Sequence, residues 1–263
     1  MMATIDDALK AETDEGKLLA ELPPLVKITI INESTVCTDA EIAPMVNALQ
    51  KQVSGDFAPL WGIDAALGFV PKGGVLPVDQ WWIAVLDDST QAGILGYHDL
   101  TSAGLPIGKV FAKTDKAAGD SVSVTISHEL LEILGDPFVN LSAQMGDGNF
   151  YAYEVGDPVE ADAIGYLIDG ILVSDFVLPS YFEQGSTSKF DFKGHLSAGC
   201  PALTPGGYIS EYNAKTNSWT QILVRHSRAD LVKAHAQIGS RRWRRGVALN
   251  ERIRSTERPY DGH

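Results

Sequence analysis

The residues best suited to chemistry lie in one short stretch, in which His128, Glu129 and Glu132 follow one another closely. At roughly 100° per residue, a helix would place Glu132 about 40° and Glu129 about 100° around its axis from His128. The opposite side of that helix would be apolar and suited to face a core: Ile126, Leu130, Ile133 and Leu134. The spacing therefore predicts a helix with one imidazole and two carboxylates on one side.

Glu132 stands one helical turn after His128, so that an imidazole and a carboxylate can reach the same metal ion. The common zinc-peptidase motif, His-Glu-x-x-His, has a second imidazole at this place and a general base in the intervening Glu. A carboxylate ligand makes the ion less electrophilic and widens the choice toward harder cations. We predict a zinc site at His128 and Glu132, with calcium or manganese as alternatives and Glu129 as the base. The competing interpretation is a helix whose polar face is merely acidic.

Charge is distributed unevenly along the 263 residues, whose net charge is −13. Residues 225–263 contain 10 Lys/Arg and 4 Asp/Glu, a net charge of +6, and the remainder of the chain is strongly acidic. The overall charge argues against non-specific binding of nucleic acid by the body of the protein. The basic segment, in which Trp243 lies among four arginines, either folds onto its own acidic domain or docks on another acidic surface, including nucleic acid.

The hydropathy pattern contains no candidate membrane segment. No apolar run approaches the roughly 20 residues that cross a bilayer, and residues 1–21 are acidic and polar, without the apolar core of a signal peptide. Cys37 and Cys200 form no metal or redox motif, so we expect two free thiols rather than a disulfide. These features predict a cytoplasmic protein, unless it is exported or packaged by a route without a classical signal.

The N-terminal half has the hydrophobic pattern of an α/β domain. Residues 1–24 are expected to form a flexible leader, and the β-branched run Val26–Asn32 predicts a buried strand. Thr38 and Glu41 form a capping box at the start of a long helix, and residues 65–70 and 80–86 predict two more strands. We expect a twisted mixed sheet packed on two helices, the second of which carries His128.

The C-terminal half is expected to be irregular and rich in β structure. Asp169-Gly170 predicts a hairpin, and a short helix is predicted from Arg225 to about Ile238. The predicted organisation is a metal-binding domain over residues 25–224, with subdomains 25–137 and 138–224, followed by the basic tail 225–263.

The strand–helix–strands–helix order that ends at His128 resembles the N-terminal half of the zincin metallopeptidase fold, over roughly residues 25–137. The resemblance implies that the segment Gly96–Leu100 lies along a substrate cleft. The metzincin branch is excluded, because its third metal ligand would fall at Phe138, which cannot bind a metal.

A second resemblance is local. The residues His128-Glu129-Leu130-x-Glu132 and, further on, Glu154-Val155-Gly156-Asp157 are similar to the His-Glu-Leu-x-Glu and Glu-Ile-Gly-Asp pattern of the EXORDIUM, or phosphate-induced, family. That family has no firmly assigned activity, so the similarity implies a shared site rather than a shared reaction. It nominates Glu154 and Asp157 as metal ligands beside His128 and Glu132.

The motif and the two resemblances support two alternative functions. The first is a metal-dependent hydrolase, a metallopeptidase with a peptide or protein substrate, in which Glu129 is the base and His98 an oxyanion donor or an additional ligand. The second is a metal-stabilised structural or binding protein of a larger assembly, because an oxygen-rich ligand set also suits calcium or manganese. His98 is alternatively an ordinary strand-end histidine. The third metal ligand stays open among Asp136, Glu154 and Asp157, and for Asp136 we favour a role in fixing the turn at the end of the helix.

Overall fold

The computed structural model of the chain describes residues 25–88, 95–225 and 228–235. The predicted leader, 1–24, and most of the basic tail, 225–263, lie outside these residues. Among the helices that are described, none combines the length and the apolar character needed to cross a membrane. Cys37 and Cys200 are both free thiols, as the sequence predicted.

A five-stranded sheet forms the N-terminal part of the fold, in the order β2-β1-β3-β5-β4. Three of the pairings are parallel, and β4 runs antiparallel to β5 at the edge of the sheet. The β-branched residues of β1 explain its place among the inner strands, since Ile28 and Ile30 are completely buried. The strands are β1 (Val26–Asn32), β2 (Ala65–Val70), β3 (Trp81–Leu86), β4 (Gly96–Leu100) and β5 (Pro106–Phe111).

Helix α1 begins where the capping box predicts. The Thr38 hydroxyl accepts a hydrogen bond from the amide of Glu41, whose carboxylate in turn accepts one from the amide of Thr38. A π-helical turn, Gln52–Phe57, continues the helix. The helices are α1 (Asp39–Lys51), α2 (Ala58–Trp61), α3 (Ala112–Ala118) and α4 (Val122–Gly135).

Helix α4 is buried on every side, whereas the sequence predicted one apolar and one polar face. It packs against β3, β4 and β5 of the sheet and against α1. A hairpin of β8 (Tyr166–Ile168) and β9 (Ile171–Val173) covers it from another direction. Every residue from Val122 to Leu134 is therefore buried, and the acidic side of the helix faces the interior of the protein rather than solvent.

A second sheet forms the C-terminal part, in the antiparallel order β12-β11-β10-β7-β6. The hairpin predicted at Asp169-Gly170 is confirmed, with φ values of 51° and 83° at its two turn residues. The strands are β6 (Ser142–Gln144), β7 (Phe150–Ala152), β10 (Tyr208–Asn213), β11 (Ser218–Arg225) and β12 (Arg228–His235).

The short helix predicted from Arg225 to about Ile238 is wrong. The chain forms β12 instead, which pairs with β11 from Thr220 opposite His235 to Arg225 opposite Arg228. The edge of β11 offers a row of backbone donors and acceptors, and pairing with them satisfies this segment's own peptide groups. Tertiary context therefore overrides a weak local preference.

One apolar core extends through both parts of the molecule. It includes residues of the first sheet, of α1 and α4, and of β7, β10 and β11 in the second sheet. The predicted fold class, a mixed α/β domain with a mixed sheet on two helices and a β-rich C-terminal part, is confirmed.

Candidate metal centre

Six ionisable residues that the sequence nominated converge at one place inside the fold. β4 supplies one, α4 supplies three, and the segment after β7 supplies two, the second of which begins the 3-10 turn Asp157–Val159. None of the six is more than 4 % exposed. They are His98, His128, Glu129, Glu132, Glu154 and Asp157.

The first group of ligand atoms surrounds the Nε2 atom of His128. Oε1 of Glu132 lies 3.3 Å from it, and Oδ1 of Asp157 lies 3.2 Å from it. The sequence left the third member of this group open among Asp136, Glu154 and Asp157. In the structure Asp157 occupies that place, and these three side chains could together hold a metal ion.

The second group surrounds the Nδ1 atom of His98. Oε2 of Glu132 lies 3.1 Å from this nitrogen, and Oε2 of Glu129 lies 3.8 Å from it. Glu154 approaches the opposite side of the imidazole, with 3.7 Å between its Oε2 and Nε2 of His98. His98 is therefore part of the cluster, and Glu154 lies against His98 rather than beside Nε2 of His128.

Two strand glycines make room for Glu129. A Cβ atom at Gly96 of β4 would lie 2.7 Å from Oε1 of Glu129, and one at Gly108 of β5 would lie 3.1 Å from its Cβ. Gly108 pairs with His98 across the two strands, so α4 can approach the sheet closely at this point. Glycine inside a strand often marks such a close approach, so Gly96 and Gly108 are the signal in the sequence that could have indicated this contact.

Two further glycines position the segment that carries Glu154 and Asp157. A Cβ atom at Gly156 would lie 2.5 Å from Nδ1 of His128, and one at Gly135 would lie 2.6 Å from Cγ1 of Val155. Glycine commonly stands just past the end of a helix, but Gly135 is the last residue of α4. Its small size serves packing, because the segment lies directly against the helix.

The electrostatics of the cluster favour positive charge. Burial by itself lowers the pKa of His128, but the adjacent carboxylates, Glu132 first and then Asp157, raise it well above its usual value. Asp115 accepts a hydrogen bond from the hydroxyl of Thr125 in α4. Burial raises the pKa of Asp115 to about 7 in spite of this bond, and nearby carboxylates including Glu129 act in the same direction as burial. A divalent cation would supply the positive charge that these groups attract.

The donor set and its spacing fit a metal ion. Zinc binds imidazole nitrogen and carboxylate oxygen at about 2.0–2.2 Å, which places two ligand atoms of a tetrahedral site roughly 3.3 Å apart. The three shortest imidazole–carboxylate distances in the cluster are 3.1, 3.2 and 3.3 Å. A set of two imidazoles and four carboxylates also suits manganese, which accepts more oxygen ligands than zinc does.

Asp136 caps the C-terminal end of helix α4. Its Oδ1 accepts a hydrogen bond from the amide of Asn140 at 3.0 Å, and its Oδ2 accepts one from the amide of Leu141 at 3.1 Å. The turn-fixing role that the sequence favoured for this residue is confirmed.

A second group of one imidazole and two carboxylates was missed by the sequence analysis. Nδ1 of His195 lies 3.1 Å from Oδ2 of Asp175 and 3.4 Å from Oδ2 of Asp191. Its carboxylates accept backbone hydrogen bonds, three at Asp191 and two at Asp175. Because these amides already use three of the four carboxylate oxygens, we interpret the group as the fastening of the loop from Asp191 to Leu196.

Comparison of the chain with protein-family models, with curated proteins and with solved structures finds no match. The function proposed below therefore rests on the geometry of the cluster and on the resemblances in the sequence.

Proposed function

We propose that this protein is a metal-dependent hydrolase and, among hydrolases, a metallopeptidase. One observation carries the proposal: two imidazoles and four carboxylates from three distant parts of the chain meet in a site where each is at most 4 % exposed. Burying so many ionisable groups together is costly unless they are paired or bind a metal. Strongly perturbed, buried groups of this kind are typical of functional sites.

The residues divide into roles by their positions. His128, Glu132 and Asp157 would bind a zinc ion, which supplies Lewis-acid chemistry by lowering the pKa of water and polarising a scissile carbonyl. Glu129 neighbours a ligand in the sequence and faces the same cluster, so its carboxylate can take a proton from water and pass it to the leaving amine. The preference for a peptide substrate rests on the resemblance to zincins, which the antiparallel edge strand β4 beside α4 supports.

A hydrolysis assay tests this proposal. The protein is stripped with a chelator, reloaded with zinc, and incubated with a mixed peptide library that is analysed by mass spectrometry. We expect cleavage that disappears on chelation, returns with zinc, and falls by roughly 10²–10⁴-fold in Glu129→Gln. The substitution Glu183→Gln, at an exposed position, is the control for the loss of one carboxylate. Cleavage that is unchanged in Glu129→Gln would contradict the proposed base.

A second candidate function follows from the burial of the site. If no substrate can reach the six side chains, the metal stabilises the fold and the protein acts as a structural or binding component. Zinc would then raise the melting temperature without supporting cleavage of any peptide in the library. The basic tail, as a docking element for an acidic partner or nucleic acid, belongs to this candidate and stays a prediction from the sequence.

A further inference from the structure

We propose that the site binds two metal ions and that Glu132 bridges them. The proposal rests on the metal site of the proposed function and deepens it. The key observation is that the two carboxylate oxygens of Glu132 face different imidazoles. Oε1 lies 3.3 Å from Nε2 of His128, and Oε2 lies 3.1 Å from Nδ1 of His98.

Each side of Glu132 has its own set of three ligands. On one side are His128, Asp157 and Oε1 of Glu132, and on the other are His98, Glu129 and Oε2 of Glu132. Each set combines one imidazole with two carboxylates. A carboxylate that gives one oxygen to each of two ions suits pairs of metals about 3.5–4 Å apart.

The total charge of the site distinguishes between one bound metal ion and two. The four carboxylates of Glu129, Glu132, Glu154 and Asp157 carry four negative charges when ionised, and the two imidazoles are neutral when they bind metal. One divalent ion at His128 would leave two negative charges, and a proton on His98, which then binds no metal, could balance only one of them. At least one negative charge would stay uncompensated among side chains that are at least 96 % buried, which is unfavourable. Two divalent ions match the four carboxylates.

Glu154 has a distinct part in this arrangement. It lies 3.7 Å from Nε2 of His98, on the side of the ring opposite Glu129 and Glu132. A carboxylate in that place favours the tautomer with hydrogen on Nε2, which leaves the Nδ1 lone pair directed at the second ion. We therefore assign Glu154 as a positioning residue for His98.

The two-ion arrangement changes the role of Glu129. With one ion at His128, Glu129 is available as the base of the proposed function, but with a second ion at His98 it becomes a ligand. The two-ion arrangement therefore keeps metal-dependent hydrolysis as the proposed function and replaces the base role of Glu129 alone. The two roles predict different metal contents for Glu129→Gln. As a base variant it retains all bound metal, whereas as a ligand variant it loses one ion and keeps the other.

The number of Mn²⁺ ions that the full-length protein binds tests the proposal. Protein stripped of metal is dialysed against Mn²⁺, and bound manganese is measured by elemental mass spectrometry. We expect about two ions per chain in the wild type, as in two-metal sites. His98→Ala, His128→Ala and Glu129→Gln should each bind about one. His195→Ala, which removes an imidazole from the other carboxylate group, is the matched control and should still bind two.

Electron paramagnetic resonance of the same manganese-loaded wild type gives a readout that needs no variant. Two Mn²⁺ ions at the bridging distance couple magnetically, so the six-line pattern of an isolated ion should appear at one equivalent and be lost at two. This spectrum decides the question even if His98→Ala does not fold.

The outcomes separate the two proposals. One ion per chain with an isolated six-line spectrum, lost in His128→Ala but not in His98→Ala, overturns the second ion and leaves the proposed function in place. If His195→Ala binds one ion fewer than the wild type, the second metal lies at the Asp175–Asp191–His195 group. That result also overturns the proposal that Glu132 bridges two ions. No bound manganese or zinc at all overturns both proposals.

Discussion

Among single residues, the glycines that line the site are as important to it as the ionisable side chains. Gly96, Gly108 and Gly156 each lie where a Cβ atom would contact Glu129 or His128 at 3.1 Å or less. Such contacts are shorter than van der Waals distance and force neighbouring atoms to move in a close-packed interior. The orientation of His128 and Glu129 therefore depends on residues that do no chemistry.

The substitution Gly156→Ala tests this dependence. Its methyl group would lie 2.5 Å from Nδ1 of His128, so we expect a loss of about 1–3 kcal/mol in the free energy of unfolding, typical of overpacking. We also expect weaker zinc binding, measured by competition with a chromophoric chelator. Gly55→Ala is the control, because a Cβ there has no neighbour within 4 Å. Equal zinc affinity in the two variants would argue against a positioning role for Gly156.

At the scale of elements, helix α4 is fixed from several directions at once. The Ser127 hydroxyl donates a hydrogen bond to the side chain of Gln52 at 2.7 Å and accepts one from the amide of Ser174 at 3.0 Å. Gln52 in turn donates to the carbonyl of Ser174 at 2.9 Å. This buried network connects α4 to the π-helical turn and to the chain after β9, so α4 cannot move without breaking it.

The C-terminal end of α4 offers a direct test of how the helix is fixed. Asp136→Ala removes the acceptors of the amides of Asn140 and Leu141, and we expect a loss of roughly 2–4 kcal/mol in the free energy of unfolding. Asp136→Asn keeps one acceptor oxygen and should lose about half as much. Urea denaturation of both variants measures the difference. A stability of Asp136→Ala equal to that of the wild type would contradict the role assigned to this turn.

At the scale of the whole molecule, stability depends on charged groups that the fold buries. The cluster of six ionisable residues lies between α4, β4 and the segment after β7. The Asp175–Asp191–His195 group fastens a loop of the C-terminal part. Both depend on the shared core that brings distant segments together. Stability should therefore respond both to metal and to pH.

Removal of metal is expected to lower the melting temperature. A ligand that binds only the folded state at 1,000 times its dissociation constant adds about 4 kcal/mol, on the order of 10 °C for a chain of this size. Differential scanning calorimetry with zinc, with chelator, and with chelator followed by excess zinc measures the shift. The same titration on His128→Ala should show a reduced shift. A melting temperature that is independent of metal in the wild type would contradict a bound ion.

Asp175 is expected to give the protein a measurable pH dependence. Burial raises its pKa to about 7, and its hydrogen bond with Asp191 acts in the same direction. A carboxyl whose pKa is raised in the folded state stabilises the fold at low pH, below its unfolded pKa of about 4, and loses that contribution as pH rises through about 7.

The matched substitution Asp175→Asn cannot lose a proton. The wild type should therefore lose stability relative to this variant between about pH 4 and pH 7, as measured by urea denaturation across that range. Asp169→Asn makes the same chemical change in the exposed hairpin turn and controls for the loss of one negative charge. A constant difference between wild type and Asp175→Asn over this range would show that Asp175 does not titrate there.

Several features depend only on short-range geometry and could therefore be predicted from the sequence. The capping box at Thr38, the turn at Asp169-Gly170 and the facing of His128 and Glu132 across one helical turn all follow from local backbone conformation and neighbouring side chains. The class of fold also followed, because the periods of apolar residues differ between strands and helices. Five of the six ionisable residues of the cluster were nominated from motif spacing and local resemblance. His98 was a candidate that had an ordinary strand-end histidine as its alternative.

The arrangement of those residues depends on how distant segments of the chain pack together. Asp157 lies with His128, while Glu154 lies with His98, because close approaches at Gly135 and Gly156 set the path of the segment that carries them. The burial of α4 on all sides and the formation of β12 in place of a helix also depend on partners distant in the chain. Such contacts have no short-range pattern in the sequence, since they arise only when packed elements compete for the same space and the same hydrogen bonds.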